Sequence, residues 1–287
     1  MVLRKEEIVG IVVLASIILG LVAPIVAYSM AKSAEIPETM FQFPFIGKLK
    51  YETSETFNVS EEFEIVLDVS SGGVEILESE KENEIKVEIY EFPMFFMLFT
   101  GPKTKKYKCY RLSFHNNTFY VDIANHLVKI YIPTKLIKKI SGAISSGGFR
   151  VDINAANIEV CNIKVTGGGV ELNLRELGNS IIGINVYGGG FSGELSYGNY
   201  VGEAKIDIHV SGGGGKIDIE NMGAKVKVNA AISGGGGTVE INGVEVLSLG
   251  GTSETKTYVD EGFDKAAKKL LLSIDVSGGG FQIGIRK

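Results

Sequence analysis

Two glycine-rich stretches bring together the residues that come nearest to a chemical motif. Ser211-Gly-Gly-Gly-Gly-Lys216 puts a lysine behind a glycine run, much as a phosphate loop does. Val210 stands where that loop needs its first glycine, and Ile217 where it needs Ser or Thr. Gly188, Gly190 and Gly193 satisfy G-x-G-x-x-G after a strand. The chain then continues as Glu-Leu-Ser-Tyr-Gly, another strand and turn rather than the helix that dinucleotide binding requires. Both matches are products of a repeat.

Other chemistry is sparse. Asp152, Glu194, Asp218 and Glu240 are spaced to line one outer face, as a ladder that binds divalent ions weakly or as a solvated polar face. They lie three or four residues after their last glycine, whereas the nonapeptide calcium repeat needs Asp two residues after it. His115, His126 and His209 neighbour no Cys or acidic pair with ligand spacing, so neither a metal nor a cofactor is expected. No G-x-S-x-G or cysteine-nucleophile signature occurs, and no catalytic residue is assigned. Cys109 and Cys161 either pair or are two buried thiols. A net charge of −5 without a basic block argues against a nucleic-acid partner.

The elements that must position these side chains come from the repeat itself. Val210-Ser-Gly-Gly-Gly-Gly-Lys-Ile-Asp-Ile219 recurs in variant form from residue 69 onward. Aligned on Gly148, Gly169, Gly190, Gly214, Gly236 and Gly280, the copies are 21, 21, 24, 22 and 44 residues apart. Fixed periods of this size mark stacked supersecondary units. After each anchor glycine apolar and polar residues alternate, as in Phe149, Val151 and Ile153 against Arg150 and Asp152, which is a strand with one buried face. Four residues before the anchor stands only Val or Ile: Val69, Ile144, Val165, Val186, Val210, Ile232 and Val276. Such a column predicts a mainly β chain folded as a single-chain parallel β-solenoid (β-helix) of about 21–22 residues per coil. At roughly 3.3 Å per residue the coil perimeter is about 70 Å, enough for two or three short strands. Gly73, Gly148, Gly169, Gly190, Gly214, Gly236 and Gly280 are the expected corner glycines, taking the backbone where a Cβ would collide. An antiparallel meander is the competing arrangement, because strand–Gly–strand is also a hairpin signal.

Residues 1–7 read as a short cytoplasmic N-terminus and Ile8 to Met30 as a transmembrane helix, 23 residues without a charge. A cleaved signal peptide is the other reading of residues 8–30. Arg4 and Lys5 ahead of the segment place the C-terminal part outside a single-pass cell membrane. Residues 31–60 are a linker with entry strands. Residues 61–143 hold a first coil and an insertion of extra strands at Glu84–Tyr90, Tyr107–Phe114, Phe119–Ile123 and Leu127–Ile132. Within it, Phe95, Phe96, Met97, Leu98 and Phe99 with Lys105 and Lys106 either seal the solenoid end or contact a membrane or partner. Residues 144–287 are the glycine-rich coils, with a short helix expected at 260–272 from Phe263, Ala266, Ala267, Leu270 and Leu271 and with Asp260 as cap. The sequence ends two residues after Ile285 without an evident cap, so end-to-end self-association through an unpaired last strand is expected.

Leu127-Val-Lys-Ile-Tyr-Ile-Pro133, and Leu136 to Phe149 with its Ser-Ser-Gly-Gly, resemble the putative-adhesin (toastrack-type) family of bacterial and archaeal β-solenoid envelope domains. Phe63–Leu77 matches that family's opening turn, and the similarity covers residues 55–287. The chain departs from it in its glycine triplets and quadruplets and in the insertion around Phe92–Lys108. The resemblance implies a non-catalytic surface adhesin, scaffold or interaction module, held to the membrane by residues 8–30 and facing a macromolecular partner. A regulatory envelope protein sensing membrane state and an extracellular carbohydrate-active enzyme are the alternatives.

Overall fold

The computed structural model describes residues 50–91, 110–198, 200–221 and 223–287. The expected membrane segment at residues 8–30, the insertion side chains Phe95–Phe99, Lys105 and Lys106, and Cys109 lie outside the described residues. Among the described residues no helix is long and apolar enough to cross a membrane.

In chain order, β1 (Lys50–Asn58) is followed by a two-strand coil, β2 (Phe63–Val69) and β3 (Gly72–Glu78), and then by β4 (Glu84–Glu91) and β5 (Tyr110–His115). The next coils are β6 (Thr118–Ile123) with β7 (His126–Ile132), β8 (Ile137–Ile144) with β9 (Gly148–Asn154), and β10 (Val160–Val165) with β11 (Gly169–Leu177). Then come β12 (Ile181–Val186) with β13 (Gly190–Tyr197), β14 (Gly202–Val210) with β15 (Gly214–Asn221), and β16 (Lys225–Ile232) with β17 (Gly235–Ile241). Strands β18 (Val244–Gly251) and β19 (Glu254–Val259) precede a final coil, β20 (Lys268–Val276) with β21 (Gly280–Arg286).

Each coil gives one strand to each of two sheets. The eleven-stranded sheet runs β1-β4-β7-β3-β9-β11-β13-β15-β21-β17-β18, and the ten-stranded sheet β19-β16-β20-β14-β12-β10-β8-β2-β6-β5. Successive coils pair parallel and in register, with Gly148, Gly169, Gly190, Gly214 and Gly280 side by side. The parallel solenoid therefore stands, and antiparallel pairs are confined to the two ends. Period-two patterning supplies the core: Phe149, Val151 and Ile153 point inward while Arg150 and Asp152 point out. The inner faces of both sheets form one apolar cluster, each large aliphatic side chain contributing about 1.5–3 kcal/mol.

The corner turns one residue earlier than the sequence alignment implies. Gly148, Gly169, Gly190, Gly214 and Gly280 each open a strand, and Gly73 and Gly236 are second in theirs. The left-handed backbone belongs to the glycine just before, at Gly72, Gly147, Gly168, Gly189, Gly213, Gly235 and Gly279. A Cβ on Gly168 would land on the carbonyl oxygen of Gly147, and one on Gly147 on that of Gly72. The corners stack so closely that only hydrogen fits.

The first inward position after the corner explains the glycine quadruplets. Across the sheet it reads Phe149, Val170, Phe191, Gly215, Phe281 and Gly237. A Cβ on Gly215 would strike the Phe191 ring, and one on Gly237 the Phe281 ring. Each glycine there leaves the space that the neighbouring phenylalanine ring fills.

Three expectations are corrected. The 260–272 helix is absent: Gly262, at φ 77°, opens a single 3-10 turn at Phe263–Lys265, and β20 comes directly after it. Leu270, Leu272 and Ile274 are buried at period two, which outweighs the i, i+3, i+4 pattern once a sheet is there to receive them. Asp260 does not cap a helix but accepts the Val226 N–H at 2.7 Å and pairs with Lys287. Secondly, the last coil is no free end, since β20 lies between β14 and β16 and β21 between β15 and β17. The unpaired edge that motivated end-to-end association is therefore not there, and antiparallel β18 and β19 border that end instead. Thirdly, β6 and β7 are a full coil, not only capping strands, stacked outside the first. Asn125 turns its corner in place of glycine, at φ 60°.

Candidate functional site

The outward positions of the ten-stranded sheet form an open groove of about 470 Å³. Two rows of side chains floor it. One runs Asn229, Ser273, Asp207, Gly183 and Asn162 across neighbouring strands, and the other Ala231, Asp275, His209 and Asn185, with Lys164 next in that row just beyond the groove. Each residue of the second row directly precedes the Val or Ile column and so must point outward. Gly183, Ala231 and Ser273 are small, which keeps the surface concave. A Cβ on Gly183 would meet the side-chain oxygen of Asn162.

The groove is polar and its groups are only partly satisfied. His209 Nδ1 lies 3.2 Å from an Asp275 carboxylate oxygen. At the rim Tyr187 is 45% exposed, its ring 5.7 Å from that of His209, with Lys164 Nζ 5.1 Å from the ring centroid. Among the described residues Asn162, Asn185 and Asp207 form no side-chain hydrogen bond. No serine hydroxyl hydrogen-bonds His209 there, so the His–Asp pair has no nucleophile positioned beside it. Amides, carboxylates and an imidazole along an aromatic rim are suited to hydrogen-bonding hydroxyl groups while a ring packs on a flat apolar face.

The opposite face differs. Across the eleven-stranded sheet, Lys129, Glu75, Arg150 and Glu171 succeed one another strand by strand. Lys129 approaches Glu75 at 2.9 Å, and Arg150 approaches Glu75 at 3.3 Å and Glu171 at 3.6 Å. The carboxylates singled out in the sequence do share the next row, as Asp152, Asn173, Glu194, Asp218, Gly284 and Glu240. Arg175 pairs with Asp152, and Lys216 with Asp218 at 3.0 Å, so basic neighbours already balance part of the ladder. Lys216 thus serves an ion pair, and Gly188–Gly193 a solenoid corner running into β13. Cys161 is fully buried, which pushes its thiol up to about 12 and leaves it a poor nucleophile.

Sequence spacing missed Asn162, Tyr187, Asp207 and His209 because the alignment tracked the strand after each glycine, whereas the groove is written in the strand before it. It also missed the acids near two of the histidines. Glu52 and Glu91 reach His126, and Asp275 reaches His209, from strands far away in the chain.

No protein-family model and no curated protein sequence matches the chain. Among solved structures it is similar to a putative cell adhesion protein from Clostridium sporogenes, at 14% identity over 83% of this chain and 100% of that one, with a TM-score of 0.45. A putative adhesin from Bacteroides fragilis matches 83% of this chain with 97% of its own at 14% identity and a TM-score of 0.28. A putative lipid binding protein from Parabacteroides distasonis matches 81% with 96% of its own at 15% identity and a TM-score of 0.28. The similar solved structures are thus mainly putative adhesins, the kind of protein that the Leu127–Phe149 segment resembles.

Proposed function

We propose that this chain is a non-catalytic extracytoplasmic interaction module that binds a hydroxyl-rich polymer, a surface glycan, along the groove of the ten-stranded sheet. The carrying observation is the pair of aligned polar rows, with Asn162, Asn185 and Asp207 left without partners beside the exposed Tyr187 ring. A solenoid repeats its outward positions at strand spacing, which suits an extended ligand better than a compact one. The apolar segment at residues 8–30 supports tethering to a membrane, with the solenoid outside.

The test is a glycan array probed with the full chain, followed by calorimetry on the best polymer for wild type, Asn185→Ala and Tyr187→Ala. Each variant should bind about five- to thirtyfold more weakly, since a lost hydrogen bond or ring contact in such a site costs about 1–2 kcal/mol. Unchanged affinity in both would reject the groove as the binding face. Release of shorter oligomers from the polymer would replace this reading with the enzymatic one.

A further inference from the structure

We propose that Glu52, Glu91 and His126 form a divalent metal site, most suited to zinc, which pins three strands at the β1 edge of the eleven-stranded sheet. The three residues each offer a ligand atom, and these atoms all lie within 4.8 Å of one another. They come from three neighbouring antiparallel strands, β1, β4 and β7.

Strand phase brings them together. Ile85, Val87 and Ile89 point inward, and Glu91 continues that phase. His126 shares the phase of Val128, Ile130 and Ile132 and sits directly opposite Glu91. Glu52 would point the other way in a regular strand. Tyr51 pairs with Tyr90 and Thr53 with Ile89, so Glu52 is the extra residue of a bulge, a device that re-aims a side chain. Two carboxylates and an imidazole in inward phase are not explained by core packing.

The imidazole supplies the second, independent observation. The His126 side chain is only 5% exposed, and its Nδ1 lies 2.8 Å from the Ala124 carbonyl oxygen. With Nδ1 held by that backbone carbonyl, Nε2 is the ring nitrogen turned toward Glu52, 3.2 Å from its carboxylate oxygen, the orientation in which an outer carbonyl fixes a ligating imidazole. Ligands about 2.1 Å from a tetrahedral zinc ion are separated by about 3.4 Å, close to the 3.2 Å between Glu52 and His126. The Tyr110 ring lies edge-on against His126, with centroids 5.6 Å apart, and shields the imidazole. Two carboxylates also match the charge of a divalent ion.

The experiment titrates zinc chloride into the metal-stripped full chain by calorimetry and tracks the bound ion by zinc-edge X-ray absorption. Wild type should take up one equivalent with one imidazole nitrogen and carboxylate oxygens in its coordination shell, and its melting temperature should rise. Glu52→Gln, half-exposed and so tolerant of change, should weaken binding at least about tenfold, and His126→Gln should abolish it. His209→Gln should leave binding intact. Zinc uptake that is equal in wild type and His126→Gln, an absorption spectrum without imidazole, or full affinity in Glu52→Gln would each overturn the proposal. Absence of zinc uptake by the wild type would overturn it as well.

Discussion

The two outer faces of the solenoid are built on the same repeat, yet they differ in how many of their polar groups are left for a ligand. On the eleven-stranded sheet, Lys129, Glu75, Arg150 and Glu171 neutralise one another across successive strands. On the ten-stranded sheet the groove carries Asn162, Asn185 and Asp207 without a side-chain hydrogen bond among the described residues, beside the His209–Asp275 pair and Asn229, which accepts from Thr257. Ion pairs such as Lys139 with Glu64 lie elsewhere on that sheet. A face that satisfies its own groups offers little to a ligand, whereas one that leaves donors and acceptors to water can exchange them for hydroxyl groups. Because the inward residues already specify the coil, the outward ones are free to differ.

The largest effect should come from the element shared by both faces. Gly168→Val, at a left-handed φ of 106° and against the Gly147 carbonyl, should cost at least about 4 kcal/mol or prevent folding, read by circular dichroism and limited proteolysis of the full chain. Gly250→Ala, where a Cβ meets open space, should change stability by less than about 0.5 kcal/mol in the same assay. Equal effects of the two would remove the stacked corner as the common support.

Next in size is the clasp between the sheets. Asp260 binds the Val226 N–H of one sheet and the Lys287 ammonium just beyond the last strand of the other. Asp260→Ala should lower stability by about 3 kcal/mol at pH 7 in a denaturant titration. Burial alone would raise the carboxyl's pKa, but Lys287, the Val226 N–H and the Tyr258 hydroxyl outweigh it and hold it below the usual range. Its contribution is therefore present above the unfolded value of about 3.9 and fades as pH falls through the lower folded value. Melting temperatures of wild type and Asp260→Asn should then converge below about pH 4, and a constant gap down to pH 2 would contradict the clasp.

The two faces themselves separate in the smaller effects. Arg150→Ala removes one of the two cations on Glu75, whose side chain is only 9% exposed and keeps Lys129, and should cost about 1 kcal/mol without altering glycan affinity. His209→Ala should do the reverse, changing stability by less than about 0.5 kcal/mol while weakening binding, because its Asp275 partner is 61% exposed. Chemical denaturation and calorimetry on both variants would decide. If Arg150→Ala instead weakened binding and His209→Ala destabilised the fold, the two faces would have exchanged roles.

Much of the architecture was readable from residue order, since period-two alternation and the Val/Ile column are local and repeat. Corner position was readable to within one residue, because glycine triplets do not say which member takes the left-handed φ. The coil of β6 and β7 was hidden because Asn125 replaced glycine at its corner. The spurious helix arose because Phe263 to Leu272 fits periods of both two and 3.6, and only a neighbouring strand decides between them. The groove and the Glu52–Glu91–His126 cluster were unreadable because their members come from different strands and, at Glu52, from a bulge.

By itself the sequence determined that the chain coils, how long each coil is and which side chains enter the core, because those depend on alternation and on where a Cβ is tolerated. The order in which the coils stack was decided only in three dimensions. The last coil enters between two earlier ones, where Phe281 packs between Gly215 and Gly237. Steric complementarity between residues 44 or more positions apart sets that order, and with it which polar groups end up side by side.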